Sequence, residues 1–132
     1  MGILKWLARA MSFAGGSAHA FGDAGVIVSD STLLPGQCWR SANRRVVLAI
    51  DRAGRLTLKL DGNTVWNPTG TATAAKLVFD AQGALTLYDP DGYRMWMGGI
   101  TGQAPACLHI QDDGNVVIYR NHFVVWASGT CL

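Results

Sequence analysis

From Gly25 onward the chain repeats one pattern of apolar and polar positions three times. Leu48-Ala49-Ile50 and Leu56-Thr57-Leu58 flank Gly54, Leu77-Val78-Phe79 and Leu85-Thr86-Leu87 flank Gly83, and Leu108-His109-Ile110 and Val116-Val117-Ile118 flank Gly114. Each set alternates with a period of two about a glycine turn, which predicts an antiparallel hairpin with four apolar side chains on one face. A tryptophan follows each hairpin. Trp66, Trp96 and Trp126 are 30 residues apart, and the turn glycines precede them by 12, 13 and 12 residues. A period of this size marks a repeated supersecondary unit. One small sheet cannot hide such a face from water, whereas three can do so by packing about a common axis. The expected fold is therefore all-β: a three-sided prism of antiparallel sheets with a central aliphatic and tryptophan core.

The third hairpin also concentrates polar side chains. Read with Asp112-Asp113-Gly114 as a three-residue loop, it sets Gln111 opposite Asn115, Ile110 opposite Val116, His109 opposite Val117 and Leu108 opposite Ile118. Leu108, Ile110, Val116 and Ile118 then face the core. The other face carries Gln111, Asn115, Val117 and Tyr119, with Asp113 beside them in the loop. The set supplies two amides, a carboxylate and a phenol around a small apolar patch, with no nucleophile paired to a base. It suits hydroxyl groups.

Gln111, Asp113, Asn115, Val117 and Tyr119 match the Q-x-D-x-N-x-V-x-Y mannose-binding motif position for position, and the chain from about residue 25 to 132 resembles the bulb-type lectins, the β-prism II family first known from monocot plants. The short opening strand Val26-Ile27-Val28 and the turn Leu33-Leu34-Pro35-Gly36-Gln37 resemble the start of that domain. By resemblance, Asp113 and Asn115 bond the axial 2-hydroxyl of mannose, Gln111 the 3-hydroxyl and Tyr119 the 4-hydroxyl, while Val117 meets the apolar ring face. The other two frames differ. In the first repeat the five positions hold Asp51, Ala53, Arg55, Thr57 and Lys59, and in the second Asp80, Gln82, Ala84, Thr86 and Tyr88, so only Tyr88 is retained. The apolar positions persist in all three repeats and the polar set in one, so folding the hairpin does not require the polar set. A different ligand at Asp51, Arg55 and Lys59 is an alternative to plain scaffold.

The leading expectation is a lectin recognising mannose-containing glycans through this one site, without catalytic residues, cofactor or metal. Two rivals stand beside it: a lectin-like toxin or bacteriocin component, and a protein-interaction module with a vestigial sugar site. An enzyme fits least, because Asp112 and Asp113 are adjacent in one turn and alternation does not aim them at a shared bond. A net charge of +2 with scattered arginines gives no footprint of a nucleic-acid binder. Cys38, Cys107 and Cys131 are odd in number with no C-x-x-C pair, which argues against a zinc site and leaves either one disulfide and a thiol or three thiols. In the family the last strand closes the prism against the first repeat's sheet, sometimes on a partner chain. That resemblance implies a Cys38 to Cys131 pair and a homodimer by C-terminal strand exchange, in which residues 124–130 complete the partner's prism.

Residues 1–24 differ from the rest. Ile3, Leu4, Leu7, Ala8 and Met11 share one helical stripe, Lys5 and Arg9 lie early, and the small triplet Ala18-His19-Ala20 follows, a weak secretory signal pattern interrupted by Gly15 and Gly16. Residues 1–24 are thus expected to be a leader or a docked extension and residues 25–132 the lectin domain. The expected location is secreted or extracellular, with the cytoplasm as the alternative. No segment is long enough to insert across a membrane as a helix.

Overall fold

In each repeat the strand pairing follows from the side-chain period. The computed structural model describes residues 25–102 and 105–131, all of it strands and turns. Strands β4 (Val46–Ile50) and β5 (Leu56–Leu60) place Ile50 opposite Leu56 and Leu48 opposite Leu58. In β7 (Lys76–Phe79) and β8 (Leu85–Tyr88), Phe79 faces Leu85 and Leu77 faces Leu87. In β10 (Ala106–Ile110) and β11 (Val116–Arg120), Ile110 faces Val116 and Leu108 faces Ile118. All twelve of these side chains are buried at 2% exposure or less, so the register expected from alternation is the one that forms.

A third strand completes the repeated unit: β6 (Asn63–Trp66), β9 (Arg94–Gly98) and β12 (Phe123–Ala127). Each pairs through a register shift at the same place, between Leu58 and Lys59, Leu87 and Tyr88, and Ile118 and Tyr119. The extra residue is Val65, Met95 or Val125. A bulge breaks strict alternation, so two consecutive residues turn inward, and Val65 with Trp66, Met95 with Trp96 and Val125 with Trp126 all pack against the core. The three indoles meet one another at centroid distances of 5.4, 6.0 and 5.6 Å, edge-on or tilted, an arrangement that the ring quadrupoles favour.

The fourth strand of every sheet comes from the first stretch of the domain. Strands β1 (Val26–Ile27), β2 (Ser31–Leu33) and β3 (Cys38–Arg40) are dealt out one to each sheet, giving the orders β1-β10-β11-β12, β2-β7-β8-β9 and β3-β4-β5-β6. These 15 residues, 26 to 40, therefore stitch the three faces together before the repeats begin. The hairpin tips close the ring. Gly54 O at the first tip accepts from Ala74 N of the second repeat (2.7 Å), Gln82 O at the second accepts from Gly102 N and the Arg120 guanidinium of the third (3.1 and 2.6 Å), and Asp112 at the third accepts from Asn43 N of the first (2.9 Å). Gly54 is required there, because an added Cβ would lie 2.8 Å from Ala74 O with φ at 85°.

One expectation is corrected by this topology. Strand β12 pairs with β11 of its own sheet, not against the sheet of the first repeat, so Cys131 ends beyond the third sheet, exposed, while Cys38 is buried in the first strand of another. No disulfide joins Cys38, Cys107 or Cys131. Because β12 is seated beside its own β11, a single chain completes all three of its sheets without a strand from a partner. The leader-like residues 1–24 lie outside the described residues. No helix among the described residues is long and apolar enough to cross a membrane.

Candidate functional site

The outer face of β10 and β11 carries what the core rejects: Cys107, His109 and Gln111 from one strand, Asn115, Val117 and Tyr119 from the other. Gln111 N donates to Asn115 O at 2.8 Å and Gly114 N to Gln111 O at 3.1 Å, which closes the three-residue loop with Gly114 at φ 96°. This loop sorts its two carboxylates. Asp112 turns to the first repeat and holds Asn43, whereas Asp113 folds back over the tip, its Oδ1 accepting from Asn115 N at 3.0 Å. Two carboxylates serving opposite surfaces cannot flank one bond, as glycoside hydrolysis demands.

Gln111 links Asp113 to Tyr119. Its amide lies 2.8 Å from the Tyr119 hydroxyl, and with its nitrogen toward the Asp113 carboxylate at 3.1 and 3.2 Å, its oxygen accepts from the tyrosine O–H. In that orientation both ends of the amide meet complementary groups. Tyr119 sits at the bulge between β11 and β12, and the His109 ring packs edge-on against it at 4.9 Å. Burial pushes the His109 imidazole below its ordinary pKa, so the neutral ring backs the tyrosine at pH 7. Val117 is only 3% exposed, which makes it a floor beneath the polar groups with little surface of its own.

Asn115 is held by a segment that the sequence reading missed. Its Oδ1 accepts from Ser128 Oγ at 2.8 Å, Gly129 N at 3.1 Å and Thr130 N at 3.3 Å. Ser128 Oγ also accepts from Val116 N at 2.9 Å, and Thr130 Oγ1 donates to Gly114 O at 2.6 Å. With its oxygen so occupied, the amide presents its two N–H donors outward. The signal available in the sequence was the small polar run Ser128-Gly129-Thr130 directly after the last tryptophan. Ser128→Ala should weaken about fivefold the hold of the Asn115 amide on its ligand, the worth of roughly one hydrogen bond lost from the group that fixes Asn115. Titration with methyl mannoside reads it, and an unchanged affinity would assign the segment a purely structural role.

The other two frames show why their polar positions do not form such a site. Asp51, at the position of Gln111, accepts from Arg55 N at 2.9 Å, and Asp80 accepts from Gln82 N at 2.9 Å and Ala84 N at 3.1 Å. A carboxylate there caps its own turn. In the third repeat Asp113 takes over a turn bond from inside the loop, which leaves position 111 to an amide that reaches across the strands. Among the described residues no group of three or more His, Cys, Asp or Glu gathers to hold a metal ion.

No protein-family model matches the chain, and the curated protein sequences give no match either. Solved structures do. The chain is similar to a lectin from Marasmius oreades, with a TM-score of 0.74 at 27% identity over 80% of this chain and 91% of that one. It is also similar to a monomeric monocot mannose-binding lectin from Gastrodia elata, with a TM-score of 0.70 at 26% identity over 82% of this chain and 99% of that one. The chain resembles the bulb-type lectins in fold. A third similar structure, the mannose-specific agglutinin of snowdrop (Galanthus nivalis) bulbs solved with methyl α-D-mannoside, aligns with a TM-score of 0.64 at 26% identity over 82% of this chain and 98% of that one. The three-sheet prism and its tryptophan axis are thus the bulb-type lectin fold.

Proposed function

We propose that the protein is a non-enzymatic lectin that binds terminal mannose at Gln111, Asp113, Asn115, Val117 and Tyr119. One observation carries the reading: of three equivalent hairpins, only the third holds an amide at position 111 joined to both Asp113 and Tyr119, with a second amide fixed so that its donors face out. The Asn115 side-chain Nδ2–H and the Asp113 carboxylate then offer a donor and an acceptor to one axial hydroxyl, and Gln111 and Tyr119 serve its neighbours. An epimer with that hydroxyl equatorial leaves those groups unpaired, which is the source of selectivity.

Several hydrogen bonds of about 0.5 to 1.5 kcal/mol each must also offset the cost of immobilising the sugar. The expected dissociation constant for a monosaccharide is on the order of 1 mM, or about 4 kcal/mol. Retention of the purified protein on a mannan column, with elution by mannose and not by galactose, tests the reading; passage through the column unretarded and no heat with methyl α-D-mannoside would end it. A site this weak gains from two-fold assembly, where avidity rises by about a hundredfold if one glycan reaches both sites. The proposed route to a dimer is release of β12 from its own β11 into a partner, and sedimentation equilibrium at micromolar concentration reads it: a pure monomer removes it.

A further inference from the structure

The chain's positive charge is gathered in its first sheet. Residues 38–66, which form strands β3 to β6, hold six of the eleven lysines and arginines and two of the nine acidic residues, so this sheet has a formal charge of +4 and the rest of the chain one of −2. Both acids are occupied. Asp61 accepts from the Arg45 guanidinium at 2.9 and 2.6 Å, and Asp51 caps its own turn at Arg55 N, so neither is committed to the cations of the outer face.

Three of those cations are scattered in the sequence and share one face of the sheet. Trp39, Leu48 and Leu58 are buried, so alternation turns Arg40, Val47 and Lys59 outward, in one row across β3, β4 and β5. Arg55 stands on the same face, four residues before Lys59. At about 3.3 Å per residue and about 4.8 Å per strand, the backbone sets Arg55 roughly 13 Å from Lys59 and Arg40 roughly 10 Å from Lys59. Among the described residues no ion pair or side-chain hydrogen bond engages Arg40, Arg55 or Lys59. A surface that is charged only for solubility mixes both signs.

The comparison of repeats points to the same residues. Arg55 and Lys59 take the places that Asn115 and Tyr119 hold in the third repeat. There Ser128 Oγ fixes the Asn115 amide, whereas the first repeat has Pro68 at that place, which offers no hydroxyl to hold the side chain at position 55. Between the cations lie Val47, Ala49 and Thr57, all half-buried, which give a small apolar surface and one hydroxyl. No aromatic ring joins them, because Trp39 is buried in the core and Trp66 stands on the indole axis.

We propose that this face is a binding site for an acidic polysaccharide, with carboxylate or sulfate groups on Arg40, Arg55 and Lys59 and sugar rings over Val47, Ala49 and Thr57. The two guanidinium forks suit planar or tetrahedral oxyanions. Cations spread this widely match successive charges along one chain better than a single small anion. A nucleic acid fits less well, since the face has no exposed ring on which a base can stack. The site lies on a different sheet from the Gln111 cluster and rests on no part of the mannose reading.

The test is calorimetric titration of the full chain with polygalacturonate, dextran sulfate and neutral dextran, and with an oligothymidylate as the nucleic-acid arm. In about 0.01 M salt the wild type should bind at least one acidic polysaccharide and not neutral dextran, and it should lose that binding in about 1 M salt, where the screening length is about 3 Å. Arg55→Gln with Lys59→Gln should weaken binding by about tenfold, and Arg40→Gln alone, on another strand, by about threefold. Lys76→Gln with Arg94→Gln takes the same charge from the second sheet and should change binding by less than about twofold. Near-ultraviolet circular dichroism of the tryptophans verifies that each variant is folded. Failure to bind either acidic polysaccharide, binding that survives both first-sheet variants, or an equal loss in the second-sheet variant overturns the proposal. Displacement of the acidic chain by methyl α-D-mannoside would place it on the third repeat and also overturns it. Oligothymidylate bound as tightly as the polysaccharides makes the face a nucleic-acid surface and overturns the assignment to a glycan.

Discussion

Asn115→Ala should reduce mannose binding beyond detection while the prism stays folded. The variant removes two N–H donors from the cluster, and losing about two hydrogen bonds at roughly 0.5 to 1.5 kcal/mol each raises a millimolar dissociation constant by about fivefold to more than a hundredfold. The side chain also anchors Ser128, Gly129 and Thr130 through its Oδ1, so alanine alone confounds contact with positioning. Asn115→Asp separates the two. A carboxylate still accepts from all three donors and keeps the segment in place, but it offers no hydrogen to the sugar. Both variants should therefore lose binding of methyl α-D-mannoside in calorimetric titration, with the near-ultraviolet circular dichroism of the tryptophans preserved in Asn115→Asp. Binding retained by a folded Asn115→Asp protein would show that the amide hydrogens do not touch the sugar, and the assignment of this cluster would fail. Arg55→Ala and Ala84→Asn, in the other two frames, should leave binding unchanged. Asp51 and Asp80 remain committed to their own turns in those variants.

The core was legible in the sequence because a two-residue period has only one buried phase. Leu48, Ile50, Leu56 and Leu58 and their eight counterparts could be placed before any coordinates, and the 30-residue spacing of Trp66, Trp96 and Trp126 foretold the aromatic axis. Gln111, Asp113, Asn115, Val117 and Tyr119 were legible as a group because they share one face of one hairpin. What lay beyond reading were features set by contacts between repeats. Val26–Ile27 and Ser31–Leu33 are too short for any periodicity to show, and their assignment to two different sheets depends on which edges stand open. The bulges turn Val125 inward against its alternation, and a sequence pattern built on alternation is blind to them. Ser128 and Thr130 reach Asn115 only because β12 lies on β11, so their role follows from that pairing. The Cys38 to Cys131 pair failed for the same reason: it assumed that the last strand closes on a different sheet.

Trp126→Ala should be strongly destabilising, because its ring meets a tryptophan from each of the other two sheets. Truncating a buried tryptophan costs about 3 to 5 kcal/mol, a large share of the roughly 5 to 15 kcal/mol that holds a domain folded. Trp126 is partly buried, which lowers the transfer contribution, but its ring also meets both Trp66 and Trp96, and each aromatic pair is worth about 0.5 to 1.5 kcal/mol beyond area. The axis has no slack. A Cβ added at Gly98 would lie 2.8 Å from the Trp96 ring and 2.9 Å from that of Trp126, so Gly98→Ala should destabilise from the opposite direction, by overpacking. Urea denaturation checks both: the midpoint should fall sharply in Trp126→Ala, and Trp66→Ala combined with Trp126→Ala should cost less than the sum of the two, since they share a contact. Additive costs would mean that the indoles act as separate plugs. Trp126 also stands two residues before Ser128, so fraying of β12 loosens Asn115 and couples the axis to the sugar site. Mannose should then stabilise the wild type by linkage, about 1.4 kcal/mol at tenfold excess over the dissociation constant. A Trp126→Ala protein whose sugar affinity is undiminished would sever that coupling, because it would show Ser128 and Asn115 held in place without the strand that carries them.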